Sequence, residues 1–355
     1  MSSSVLIRGT DAIAEAAIRA GCTHFFGYPI TPQSELLEYM AANLPKSGGV
    51  FLQSEDETAA IYMVYGAAAA GARTMTASSG PGISLMAEGF SYLAAAELPC
   101  VIVDVQRGGP GLGNISPSQS DYSFVTKGAG HGDFKFIVLA PSSVQEASEL
   151  TMKAFEIADK YRNPVLILTD GVLGEMMEKV CFNVPETKDM PRKEWATTGA
   201  KGRRRNHIYS WYGNPEDLET HNLKIKQKYD EFSQHAPKCE LYNVADADCL
   251  IISFGICGRI CRKVVTMARE KGMKVGLIRP VTLCPFPSSI IYDYAKKARS
   301  ILVVEMNFGQ MLDDVNLAIR GSIPVHFYGR SGGIVPTPSE IFKKVEEIQS
   351  MVDHN

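Results

Sequence analysis

No apolar run in these 355 residues is long enough to span a bilayer, and the stretch behind Met1 is too short in its apolar part for a secretion signal. A cytoplasmic protein is the default expectation. Strong charge of either sign is also missing: 36 Lys and Arg face 39 Asp and Glu, for a net charge of -3, which offers nucleic acid no basic surface. The basic run KGRRR at 201–205 reads as a solvated loop or a contact to another subunit. The eight cysteines show no paired CxxC spacing and the seven histidines no metal spacing, so no zinc or cluster ligand set, and no metal site, is expected in this chain. Cys257 and Cys261 fall four apart in a predicted helix, where small thiols pack. Scattered thiols fit a reducing compartment. A phosphate-binding GxxxxGK[ST] is absent, Ser79 lacks the GxSxG elbow, and GGPGLG at 108–113 has the wrong glycine spacing for a dinucleotide fingerprint.

What is present is alternation of β and α patterns. GTDAIAEAAIRAG and ITPQSELLEYMAANLP read as helices around the short strand THFFGYP, and FLQS, RTMTAS, LPCVIVDVQR, FKFIVLAP and PVLILTD read as further strands separated by helices. VIVDVQ is nearly continuous in apolar character, as in a central strand covered on both faces. The pattern specifies an α/β fold with a doubly wound parallel sheet over residues 1–184. Residues 185–240 are polar and turn-rich, a linker or excursion with a helix at LKIKQKYDEFSQH. Over 241–355 the alternation returns in a smaller α/β unit.

Three places carry candidate chemistry. Glu55 leaves the FLQS strand at its carboxyl end, the edge at which open α/β sheets bind ligands. Asp56 and Glu57 fit the simpler role of acids in a helix's first turn. Gly80 follows Glu55 by 25 residues in SSGPG, where glycines and a proline let backbone N–H groups approach a ligand. In YPITP, prolines flank Thr31 and fix its turn; its hydroxyl caps the next helix, faces a ligand, or does both. Arg107 closes VIVDVQR either as a surface ion-pair partner or as a clamp for a small carboxylate.

GYPITP, QSEDETAA, ASSGPG and VDVQRGGPG, in this order, resemble the α subunit of thiamine diphosphate-dependent 2-oxoacid:ferredoxin oxidoreductases. LIRPVTLCPFP and VVEMNFGQM resemble that family's transketolase-C-terminal-like domain, so the resemblance covers nearly the whole chain. GGPGLGNISPSQSDY followed by TKGAGHGD is most similar to the branched-chain branch, the 2-oxoisovalerate oxidoreductases; the 2-oxoglutarate branch usually has GGPSTG with a Thr-rich continuation.

The resemblance implies that residues 1–184 form a pyrimidine-binding domain and residues 241–355 the transketolase-C-terminal-like one. Glu55 then matches the glutamate that binds the aminopyrimidine N1′ and favours its imino tautomer; Glu57 is two residues too close to the glycine loop. Pro29, Ile30, Ser79 and Gly80 match cofactor contacts, while Thr31 and Arg107 match the hydrogen-bond donor and the carboxylate clamp for the 2-oxoacid. Thiamine enzymes bind diphosphate and magnesium with a GDG and a downstream Asn. Here TDG at 169–171 lacks the first glycine and Asn183 is too near. The implied chain therefore holds half a site. A β subunit with the GDG…N motif and cluster cysteines would supply magnesium, diphosphate binding and iron–sulfur centres. A ferredoxin-like subunit, a γ subunit, ferredoxin and coenzyme A complete the implied partners. The implied reaction is oxidative decarboxylation of a 2-oxoacid to acyl-CoA and carbon dioxide. Rival readings are the 2-oxoglutarate or pyruvate branch, a self-sufficient thiamine decarboxylase, which the missing GDG…N disfavours, and a non-catalytic scaffold.

Overall fold

The structure, a computed structural model, describes residues 4–182 and 193–353; the expected boundary at 184 and Asn183 lie outside the described residues. In the N-terminal half the order is β1 (Val5–Arg8), α1 (Gly9–Arg19), β2 (His24–Gly27), α2 (Ser34–Asn43), β3 (Val50–Gln53), α3 (Glu57–Ala69), β4 (Thr74–Ser78), α4 (Pro81–Leu85) and α5 (Ala87–Ala95). There follow β5 (Val101–Gln106), α6 (Tyr122–Lys127), β6 (Ile137–Leu139), α7 (Val144–Tyr161), β7 (Val165–Asp170), α8 (Gly171–Glu175) and β8 (Met177–Val180). The excursion contributes α9 (Pro215–His235), which starts eight residues before the expected LKIKQKYDEFSQH because Asn214 caps it and Pro215 opens it. The C-terminal half runs β9 (Cys239–Tyr242), β10 (Cys249–Ile252), α10 (Gly255–Glu270), β11 (Val275–Pro280), β12 (Thr282–Cys284), α11 (Ser288–Ala295), β13 (Ser300–Glu305), α12 (Gln310–Ile319), β14 (Val325–Gly329) and α13 (Pro338–Asp353).

Six of the strands form the expected parallel sheet, in the order β6-β7-β5-β4-β2-β3, with apolar clusters on both faces. The seventh strand of that sheet differs from expectation. β12 comes from the C-terminal half and pairs antiparallel with β6, closing an edge that would otherwise expose its backbone groups. A second sheet, β14-β13-β10-β11-β9, has β9 as its antiparallel member. β1 and β8 form a separate antiparallel ribbon that periodicity did not reveal, since four residues barely register a pattern. One apolar cluster runs without a break from α3, α5 and β5 to β10, β13 and α12, so the halves share a core. Cys257 and Cys261 are fully buried in α10 against an apolar cluster. No helix among the described residues is long and apolar enough to cross a membrane.

Polar pins reinforce the junction. Arg279 on β11 is buried and donates to Glu146 on α7 at 2.7 Å and to Glu240 on β9 at 2.6 Å. Removing one partner of a buried ion-pair set leaves like charges desolvated and unopposed. Arg279→Met is therefore expected to cost about 3–5 kcal/mol of unfolding free energy, read from urea denaturation. A loss below about 1 kcal/mol, the scale of an exposed pair, would show that the pin contributes little.

Candidate active site

Because β2, β3, β4 and β5 run parallel, their carboxyl ends lie along one edge of the sheet, and each expected site residue follows one of them. The turn after β2 carries Pro29, Ile30 and Thr31; Pro29 and Thr31 are exposed and Ile30 is half-buried. Gln33, itself buried, stiffens this turn by donating its amide to the Tyr28 carbonyl at 2.9 Å. Thr31 does not cap α2, which begins at Ser34 with Gln33 in the N-cap position, so the capping alternative is removed.

The three consecutive acids after β3 have three different fates. Asp56 caps α3, accepting from the Ala59 N–H at 2.6 Å. Glu57, in the first turn, is buried and accepts from Ser78 Oγ at 3.4 Å. Glu55 is exposed at the edge strand, and among the described residues no hydrogen bond or ion pair engages its carboxylate. The burial of Glu57 was hidden from a reading that treated it only as a first-turn acid. Gly82 explains it: a Cβ there would lie 2.1 Å from Ser78 Oγ and 2.3 Å from Glu57 Oε1, so α4 approaches this pair as only glycine allows.

Ser79 and Gly80 follow β4. Ser79 is fully buried with no hydrogen-bond partner for its hydroxyl, and Gly80 adopts a φ of 36° that a side chain would resist. Arg107, after β5, is no surface ion-pair partner: it is buried, and its guanidinium donates to the Thr31 carbonyl at 3.0 Å and the Leu112 carbonyl at 3.2 Å. Its Nε has no partner. The structure thus brings Thr31, Arg107 and Gly80 together, with Arg107 Cγ 3.7 Å from where a Gly80 Cβ would stand.

The loop between β5 and α6 is folded back on itself. Gly108 N–H donates to Ser116 O at 2.8 Å, Asn114 N–H donates to Gly108 O at 2.9 Å, and Arg107 bridges Pro117. The C-terminal half holds it from behind. Gln119 donates its amide to Phe254 O at 3.0 Å and accepts from Met306 N–H at 3.0 Å, while Asn307 donates to Gln119 O at 2.7 Å. Glu305, buried and raised to about 7 by desolvation, in turn accepts from Asn307 and from two N–H groups at the start of α12. Tyr122 donates to Asp314 at 2.5 Å, and Lys127 pairs with the same carboxylate. Nothing in SPSQSDY announced these partners, since they are between 135 and 192 residues away in sequence.

Two acids missed in the sequence lie behind this wall. Asp104, in the middle of β5, is fully buried, and Asp121, just before α6, turns Oδ2 inward. Burial pushes both carboxyls up, and each feels the other. An acid inside VIVDVQ was the available signal. Asp170 of the TDG motif, raised to about 6 by burial, caps α8 by accepting from the Val172 and Leu173 N–H groups at 2.9 and 3.1 Å. Among the described residues there is no cluster of three or more potential metal ligands.

With this geometry in place, comparison with known proteins identifies the class. Residues 15–240 match the family described as pyruvate flavodoxin/ferredoxin oxidoreductase, thiamine diphosphate-binding, and residues 247–341 match pyruvate:ferredoxin oxidoreductase core domain II. The chain belongs to this thiamine diphosphate-binding family of oxidoreductase subunits. Among its relatives, the ketoisovalerate oxidoreductase subunit VorB of Methanothermobacter thermautotrophicus is 47% identical over 343 residues, covering 97% of each chain. The 2-oxoglutarate synthase subunit KorA of Methanothermobacter marburgensis is 38% identical over 375 residues, covering 97% of this chain and 99% of its own. The 2-oxoglutarate:ferredoxin oxidoreductase of Magnetococcus marinus, solved with 2-oxoglutarate, coenzyme A and succinyl-CoA bound, superposes with a TM-score of 0.85 at 30% identity. That match covers 98% of this chain, which spans 65% of the length of the solved one.

The fold-back of the 108–116 loop depends on Gly113, whose φ is 58° and whose added Cβ would stand 1.7 Å from Gly108 O. Gly113→Ala is expected to open the loop and release Leu112 O from Arg107. Limited chymotrypsin digestion would then cut within residues 108–116 several-fold faster than in the parent chain, and an unchanged cutting rate would show that the loop tolerates the change.

Proposed function

We propose that this chain contributes the aminopyrimidine-binding half of a thiamine diphosphate site, together with the clamp for the substrate carboxylate, to a coenzyme A-acylating 2-oxoacid:ferredoxin oxidoreductase acting on branched-chain 2-oxoacids. The observation that carries this reading is Glu55. Of three adjacent acids it alone has no partner among the described residues, at the carboxyl end of the edge strand, where another molecule can reach it. The surrounding groups fit the cofactor's ring: an orphaned buried hydroxyl on Ser79, a Gly80 backbone at positive φ with no side chain of its own, and the Pro29–Ile30 turn. When bound, thiamine diphosphate would supply the nucleophilic carbon and the electron sink for decarboxylation.

The chain's own residues would then have distinct tasks. Glu55 would hold a proton toward the ring nitrogen. Thr31, exposed and not used as a cap, would donate its hydroxyl to the 2-oxoacid. Arg107 commits two N–H donors to backbone carbonyls, which fixes the guanidinium plane, and the remaining donors would meet the substrate carboxylate.

Magnesium, diphosphate and the iron–sulfur clusters would be held by a partner, since Asp170 is occupied in capping α8. The partners implied are a β subunit with GDG…N and cluster cysteines, a ferredoxin-like subunit, a γ subunit, and ferredoxin as electron acceptor. Leu112, Ile115 and Phe308, which are 82%, 63% and 88% exposed, flank the same loop and give a partner an apolar surface to cover. Branched-chain preference rests on the greater identity to the ketoisovalerate subunit than to the 2-oxoglutarate one. A 2-oxoglutarate substrate is the second reading, favoured by the close superposition on the 2-oxoglutarate enzyme. A cytoplasmic setting is consistent with ferredoxin chemistry.

In the complex reconstituted with its partners, Glu55→Gln is expected to abolish coenzyme A-dependent turnover while size-exclusion chromatography still shows assembly. Near-wild-type activity would remove Glu55 from this role. Arg107→Ala is expected to raise the apparent KM for the 2-oxoacid by roughly ten- to a hundredfold, the equivalent of about 1.5–3 kcal/mol for a hydrogen bond to a charged group. An unchanged KM across a panel of branched-chain, 2-oxoglutarate and pyruvate substrates would sink the clamp.

A further inference from the structure

The mechanism above makes no use of the two carboxyl groups behind Gly80 and Arg107. Neither oxygen of the fully buried Asp104 accepts a hydrogen bond from a protein donor, and Oδ2 of Asp121 is likewise unmatched. The Asp121 backbone N–H is anchored on Gln106 Oε1 at 3.1 Å, and its carboxyl group lies within hydrogen-bonding reach of that of Asp104. Asp121 Oδ2 lies 4.0 Å, and Arg107 Cγ 3.7 Å, from the place a Gly80 Cβ would occupy, so Asp121 and the expected clamp approach the expected cofactor loop together.

Two ionised carboxylates facing each other in a desolvated site, with the Gly80 N–H as the one backbone donor acting on both, repel strongly, and the arrangement is relieved when one proton bridges them. Both acids are held above the usual carboxylate range by burial. Their mutual repulsion raises Asp104 further, whereas the Gly80 N–H opposes the rise in both and Arg107 opposes it in Asp121. The surrounding elements supply little further charge. β4 faces Asp104 with Ser78, and β7 with Leu168. The acid on α3, Glu57, is engaged by Ser78, while Lys127 on α6 is paired with Asp314 of α12.

We propose that Asp104 and Asp121 share a single proton behind the Gly80–Arg107 wall, and that this pair acts as a positioning element that keeps Arg107 available to the carboxylate of the 2-oxoacid. The inference rests on the assignment of Arg107 as the clamp. With one proton the pair carries one negative charge, which Arg107 balances. Loss of that proton to solvent at higher pH would give the pair a second charge. Arg107 would then be drawn toward the pair, and an incoming carboxylate would be repelled. Because the shared proton is held above the ordinary carboxylate range, substrate binding is supported below the raised pKa and weakened as pH rises through it.

Two measurements test this. In the isolated full chain at neutral pH, infrared difference spectra against Asp104→Asn and Asp121→Asn should each reveal a protonated carboxyl C=O band lost from the parent. The subtraction matters because Asp170 and Glu305 are also buried acids with raised pKa values. In the reconstituted complex, the apparent KM for the 2-oxoacid should rise about tenfold with increasing pH in the parent, and this rise should vanish in Asp121→Asn, which cannot gain the second charge. A titrating parent band that is lost or shifted in Asp121→Asn supports the shared proton even if Asp104→Asn fails to fold. Absence of any such band, or an alkaline KM rise that persists in Asp121→Asn, overturns the proposal. If instead the band is present but Arg107→Ala leaves KM unchanged, the shared proton stands and the clamp assignment fails.

Discussion

The candidate site depends on a single buried amide. Gln119 is 1% exposed and makes four hydrogen bonds to the C-terminal half, two through its side chain and two through its backbone, all between 2.7 and 3.1 Å. It sits in the loop that begins with Arg107 and ends with Asp121. Gln119 anchors the Asp121 end, two residues away, while the Arg107 end is held by the Gly108–Ser116 and Asn114–Gly108 backbone bonds. A buried amide whose nitrogen and oxygen are both engaged is worth more than its pairwise bonds suggest, because removing either partner strands a polar group in a low dielectric. The C-terminal half is therefore a structural part of the site although it supplies none of the expected site residues.

A second layer lies behind this one. Asn307, which holds Gln119 O, is itself oriented by Glu305 and accepts from the N–H groups of Gly309 and Gln310 at the start of α12. Tyr122 and Lys127 converge on Asp314 of the same helix. Loop, helix start and carboxylates thus form one network across a continuous apolar core, which fits the pairing of β12 with the N-terminal sheet. A freely hinged second domain would share neither core nor sheet.

How much of this was legible follows from the range of the interactions. Local signals were enough for the parallel strands, for the helices that follow them, and for Glu55, Ser79, Gly80 and Arg107 lying at one sheet edge, since each depends on a few neighbouring residues. The sequence offered Asp104 as a visible anomaly, an acid within an otherwise apolar central strand, but its partner Asp121 could be found only through the fold. β12 and the Gln119 network depend on contacts across more than a hundred residues, where periodicity carries no information. Arg107 was legible in position and incomplete in environment: its two carbonyl contacts arise from a turn 76 residues earlier and a loop five residues later.

These environments explain why the site reads as half of something. The acids that the fold needs are consumed by it: Asp56 caps α3, Asp170 caps α8, Glu57 meets Ser78, and Glu305 holds the start of α12. Glu55 has no such engagement among the described residues, and its neighbours on the edge strand, Leu52 and Val50, are 44% and 45% exposed. An open edge strand with exposed apolar residues and an unclaimed carboxylate is an unstable way to end a sheet unless something covers it. A subunit seated on that edge would bury Val50 and Leu52 and bring its own groups to Glu55, so the proposed partner would meet the sheet edge and the acid on one surface.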